Sequence, residues 1–233
     1  MERFLERNNV QLALIQAINN TNVTGKYFDM RGKRGVVAIM SVLTMAATKT
    51  AKVELLQAKD ASGTDAKGIP TTAAQAATKT VTANTSVIEA TAEISSIANT
   101  DVITVNGTAF TKAAAEDTDA NEFDDGDSLA SQINSDVSGV TASFDTNTLT
   151  VVADDGYTIT ISKTENAGTI TLATVEAIAV VDVDAIDMDN DNGFYFVAPK
   201  VTTTANTTAT SVVMVTRDHY HNKVAQPSPH VIA

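Results

Sequence analysis

Four short runs between residues 139 and 173 place an apolar side chain at every second position: Gly139-Val-Thr-Ala-Ser-Phe, Thr148-Leu-Thr-Val-Val-Ala, Tyr157-Thr-Ile-Thr-Ile-Ser and Thr169-Ile-Thr-Leu-Ala. A period of two is strand geometry, because successive side chains leave a strand on opposite faces. The breaks between the runs are turn chemistry: Asp145-Thr-Asn, Asp154-Asp-Gly and Glu165-Asn-Ala-Gly. Asp101-Val-Ile-Thr-Val-Asn-Gly-Thr-Ala-Phe-Thr adds a hairpin with Asn106-Gly107 at its turn, a pair suited to the positive φ angles of a two-residue loop. Such a chain is committed to antiparallel sheet. One short helix interrupts it, at Asp127-Ser-Leu-Ala-Ser-Gln-Ile-Asn-Ser, with Asp127 or Ser128 as cap and Leu129, Ile133 and Val137 on one face.

The flanking segments carry more strand signals. Gly35–Leu43 and Thr50–Ala58 read as strands, followed by a polar turn around Gly63. Residues 70–86 are rich in Thr, Ala and Lys and fit an edge strand with a loop. Val87–Ile94 and Val175–Val183 share a pattern, as if one strand region stops near residue 98 and resumes near 178. An aromatic strand (Gly193–Ala198) and Ser211–Thr216 complete the set. At the N-terminus, Phe4, Leu5, Val10, Leu12, Ile15 and Ile18 fall roughly on one helical face, so a helix over 2–19 is expected. Residues 219–233, with Pro227 and Pro229, read as an extended arm.

Charge divides the chain in the same places. Residues 1–98 hold 11 basic and 8 acidic side chains, residues 99–177 hold 2 and 14, and residues 178–233 hold 3 and 6. The middle segment therefore equals the net charge of −12 on its own. The expectation is a mainly β protein. Its host domain, 1–98 with 178–233, is a β-sandwich, with the jelly roll as one form of it, and carries the N-terminal helix. An acidic β-rich domain containing one short helix is inserted at 99–177.

Composition narrows the chemistry. The 233 residues include no Cys, which removes thiol nucleophiles, disulfides and Cys-based metal sites. The acidity argues against nucleic-acid binding through phosphate contacts. No run of about 18 apolar residues suggests a membrane helix, and residues 1–7 lack the apolar centre of a signal peptide. Asp187-Met-Asp-Asn-Asp-Asn-Gly resembles the start of an EF-hand loop, which makes Asp187, Asp189 and Asp191 candidates for Ca²⁺. The glycine comes one place late, however, and Ala198 stands where a bidentate Glu belongs, so a solvated turn is the expectation. His219 and His221 would share one side of a strand without further ligands nearby in sequence. No Gly-x-Ser-x-Gly elbow or phosphate loop is present, and no enzyme activity is expected. The basic cluster Lys26, Arg31, Lys33 and Arg34 suits docking on an acidic protein neighbour.

Two stretches carry a resemblance. Residues 36–69, most clearly Val53-Glu-Leu-Leu-Gln-Ala-Lys-Asp-Ala-Ser-Gly-Thr-Asp-Ala-Lys67, together with the aromatic strand Gly193–Ala198, resemble capsid-decoration and minor head proteins of tailed bacteriophages. Residues 101–172 resemble β-rich modules inserted in variable flagellin and phage surface regions, through Ile103–Thr111 and Asp124–Asn134. The resemblance implies a non-enzymatic decoration or cement protein on the outer head surface, assembled in the host cytoplasm. Its partners would be the major capsid protein or other virion proteins and further copies of itself, as a dimer or trimer, with no cofactor, membrane or direct nucleic-acid contact. Alternatives are a tail, head–tail joining or baseplate protein, or a surface adhesin that binds glycans. The residues expected at interfaces are Phe4, Leu5, Leu12, Ile15, Arg31, Lys33, Arg34, Tyr220, Pro227 and Pro229.

Overall fold

The computed structural model describes residues 8–18, 20–70, 77–204 and 208–218. Along the chain the strands are β1 (Asn8–Ile18), β2 (Asn22–Thr24), β3 (Phe28–Asp29), β4 (Lys33–Ala46), β5 (Thr50–Ala58), β6 (Lys67–Gly68), β7 (Thr78–Thr82) and β8 (Glu89–Ser96). There follow β9 (Val102–Val105), β10 (Thr108–Lys112), β11 (Glu122–Phe123), helix α1 (Gly126–Asp136), β12 (Val140–Asp145), β13 (Thr148–Ala153), β14 (Ile161–Thr164), β15 (Thr169–Asp184), β16 (Phe196–Thr203) and β17 (Thr208–Asp218). The fold is mainly β, of sandwich type, and among the described residues the strand-to-strand pairings are antiparallel except for β10 with β11.

One long sheet organises the molecule, in the order β1-β17-β4-β15-β8-β13-β12. Its inner face is mainly apolar, from Leu14 and Ile18 through Met214, Val212, Met40, Val42, Val181 and Leu172 to Ala92, Leu149 and Ala142, with Thr174, Thr210 and Thr216 buried among them. Two smaller sheets cover that face. The first, β2-β16-β5-β6 with β3 and β7, lies under β1, β4 and part of β15 and contributes Val53, Leu55, Val81 and Val201. The second, β11-β10-β9-β14, adds Ile103, Val105, Phe110 and Phe123, and α1 adds Leu129 and Ile133 against β12 and β13. Both halves share a single apolar core.

Three expectations change. Residues 8–18 form a strand, not a helix. A bulge between Leu12 and Leu14 inserts Ala13 and breaks the alternation. Both faces of β1 also bear apolar residues, with Leu14 and Ile18 buried and Val10, Leu12 and Ile15 exposed, so the period of two is hidden. Residues 2–7 and 19 of the expected helix, like the arm 219–233, lie outside the described residues. The cap of α1 is Asp125. Its carboxylate accepts from the Ser128 N–H at 2.8 Å, and the Ser128 hydroxyl serves the Asp125 N–H in return, so Asp127 and Ser128 sit inside the first turn. Finally, Thr169–Ala173 and Val175–Val183 are one strand, β15, joined through a register shift between Thr174 and Glu176. The 177/178 position thus falls within β15, and β13 pairs with β8 across the 98/99 position.

The two edges of the long sheet differ. At β12, the Asn134 side chain from α1 accepts from the Ala142 N–H at 2.7 Å and donates to its carbonyl at 2.8 Å. A helix side chain thus fills the ladder position that another strand would take. At β1, the bulge carbonyl of Ala13 accepts from the Lys26 N–H at 3.1 Å.

Candidate interaction surface

The outer face of the long sheet carries an unusual surface. Cross-strand registers line up four rows over β1, β17, β4 and β15. Val10, Val215, Val37 and Asp182 form the first row, and Leu12, Val213, Ile39 and Val180 the second. Ile15, Ser211, Ser41 and Ile178 form the third, and Leu43 and Glu176 lie in the fourth. Ile15 is 73% exposed, Val180 51%, and Leu12 and Leu43 48% each.

The other half of the same face is an internal control. On β15, β8, β13 and β12 the outward residues are Thr169, Thr171, Glu89, Thr91, Glu93, Thr148, Thr150, Thr141 and Ser143. Val152 is the one large apolar side chain exposed on β8, β13 or β12. One face of one sheet is therefore polar where it meets water in the ordinary way and apolar over four adjacent strands. Contiguous exposed apolar patches of this kind mark binding surfaces. Charge is confined to the ends. Arg217 bridges Asp182 at 2.6 Å and Asp184 at 2.8 Å at one end, and Glu176 stands at the other.

The residues expected at interfaces separate into groups. Leu12 and Ile15 belong to this face, though on a strand. Arg31, Lys33 and Arg34 surround the β3–β4 turn beyond the Asp182 end. There, with Ile186, Asn190 and Tyr195, they line an open cleft of about 530 Å³. Arg31 clamps Asp29 through its Nε at 2.9 Å and a terminal nitrogen at 2.5 Å, and this pairing holds the Asp29 carboxyl below its usual range. Phe4, Leu5, Tyr220, Pro227 and Pro229 lie outside the described residues, as do His219 and His221.

The aspartates after β15 do not gather. Asp189 is committed to Lys67 at 2.5 Å and to the Asn192 amide at 2.6 Å, while its own N–H donates to Gln57 at 2.8 Å. Lys67 is the main reason its carboxyl lies below the usual range. The group ties the β15–β16 connection to β6. Among the described residues no three His, Asp or Glu side chains are placed to hold a metal ion. Tyr157, about half exposed, lies across Gly139, where a Cβ would come within 2.2 Å of its ring.

A different carboxylate holds the middle of the molecule together, and sequence reasoning passed over it. Asp101 is fully buried. It accepts from the backbone N–H groups of Ala98 at 2.8 Å, Asn166 at 2.6 Å and Ala167 at 3.1 Å. These bonds, the one from Ala98 foremost, outweigh burial and lower its pKa to about 2. In sequence it is one Asp among many. Only the approach of residues 166–168 to residues 98–101 distinguishes it.

No family model, curated protein or solved structure matches the chain. No helix among the described residues is long and apolar enough to cross a membrane.

Proposed function

We propose that the protein is a non-enzymatic structural component that works by burying surface in an assembly. In the reading its sequence resemblance supports, it is a decoration or cement protein on the outer head of a tailed phage. One observation carries the structural role: an apolar half-face on a sheet whose other half is polar. A partner that binds only the assembled particle stabilises it by mass action, and modest contacts repeated by symmetry add up. The basic β3–β4 turn supplies a second docking point of opposite charge to the middle segment.

The test is addition of purified protein to heads that lack it. Binding with a rise in the heads' melting temperature is expected. Heads that neither bind the protein nor gain stability would end the phage reading. Copy number per particle separates a head-surface role from a tail, head–tail joining or baseplate role.

A further inference from the structure

The apolar face states something about its partner. Its two middle rows contain no charged residue, so they select no partner by opposite charge. They present strand corrugation, with side chains at two-residue intervals, and the surface that matches such corrugation is another sheet face. We infer that the outer face of β1, β17, β4 and β15 packs against the same face of a second copy, forming a two-fold dimer. The inference rests on reading this face as an interface, and not on the phage context.

Area supports a second copy. Four strands about 4.8 Å apart and four rows about 6.8 Å apart outline roughly 500 Å² on each molecule. A pair would bury about 1,000 Å², the least that a specific interface ordinarily needs. An occupant that covered only part of the face would fall short of it.

Charge fixes the arrangement. The segment 99–177 carries 14 acidic and 2 basic side chains, and much of it lies beyond β15 on the β8-β13-β12 side. A two-fold axis running across the strands would stack these acidic segments on each other. An axis running along the strands sends them to opposite ends of the dimer. It sets β1 over the partner's β15 and β17 over the partner's β4. Leu12 then covers the partner's Val180, and Val213 covers the partner's Ile39. Ser41 and Ser211 lie close to the axis.

The chain has no cysteine, so one introduced thiol reports cleanly. Sedimentation velocity on the full chain should show a concentration-dependent dimer that tightens as salt screens the acidic segments. Val180→Lys and Ile15→Lys, at exposed positions, should leave circular dichroism unchanged and weaken association roughly 30-fold or more. A short bismaleimide should join Ser41→Cys chains into dimers and leave Thr150→Cys chains single. A monomer at every concentration into the hundred-micromolar range overturns the inference, and the face then belongs to other residues of the chain or to another protein. A dimer indifferent to both lysines, or one joined as well through Thr150→Cys, overturns it too. Dimers that ignore phage heads would sink the proposed function alone, and monomers that bind heads would sink this inference alone.

Discussion

Replacing Asp101 tests how the covering layer of β9 and β14 is tied to the long sheet. In Asp101→Ala the N–H groups of Ala98, Asn166 and Ala167 lose their acceptor inside the protein. An orphaned buried donor costs about 1–3 kcal/mol. Water entering the vacated space satisfies part of this, which leaves an expected loss of about 3–5 kcal/mol. Asp101→Asn keeps one acceptor oxygen but turns an amide NH₂ toward donors, for about 2–3 kcal/mol. The effect should depend on pH. The native carboxyl titrates at about 2, against an ordinary value of 3.8. A depressed pKa contributes stability that is full above the ordinary value and fades as pH falls through the native one. The gap between wild type and Asp101→Asn should therefore be constant from neutral pH down to about 4 and shrink toward pH 2. Urea unfolding followed by circular dichroism, at a series of pH values, measures it. A loss below about 0.5 kcal/mol at neutral pH, or a gap unchanged at pH 2, would refute the reasoning.

Other substitutions probe the same architecture. Gly168→Ala should match Asp101→Ala in urea, since a Cβ there would stand 2.1 Å from the Asp101 carboxylate and 2.5 Å from the Ala98 nitrogen. A stability equal to wild type would show that the junction yields easily. Asn134→Ala should cost about 1–3 kcal/mol and raise aggregation rates measured by light scattering, because it uncovers the β12 edge. Excision of residues 99–177 should unfold the remainder, as judged by circular dichroism, since it removes β12, β13 and residues 169–177 of the shared β15. A folded product would mean that the flanking parts form a domain without them.

The local signals in the sequence were reliable wherever a strand has one wet face. Thr50–Ala58 and Thr148–Ala153 form strands with the bounds their alternation indicates, and Asn106-Gly107 turns a hairpin with both residues at positive φ. Tyr157–Ser162 yields only the shorter β14, since residues before Ile161 make a single bridge, Val87 with Ile159. Alternation failed at β1, where a bulge and two apolar faces mimic a helical stripe. The interaction surface was half visible. Leu12 and Ile15 were picked out as apolar, but their neighbours Val213, Ile39 and Val180 are distant in sequence. Nothing in the sequence says that β17 lies between β1 and β4. Asp101 was hidden for the same reason, because its donors lie 65 residues downstream except for Ala98.

The placement of β17 also governs how the chain can be made. Among the described residues of the long sheet β1 pairs only with β17, and β17 is the strand that joins it to β4. A ribosome delivers β1 first and its partner after nearly two hundred further residues. Over that interval the eleven residues of β1, which bears apolar side chains on both faces, have no neighbouring strand of the sheet. Exposed apolar strands of this kind seed aggregation during synthesis. A nascent chain halted before residue 208 is therefore expected to need chaperone protection, and one extended through residue 218 can close the sheet and dispense with it.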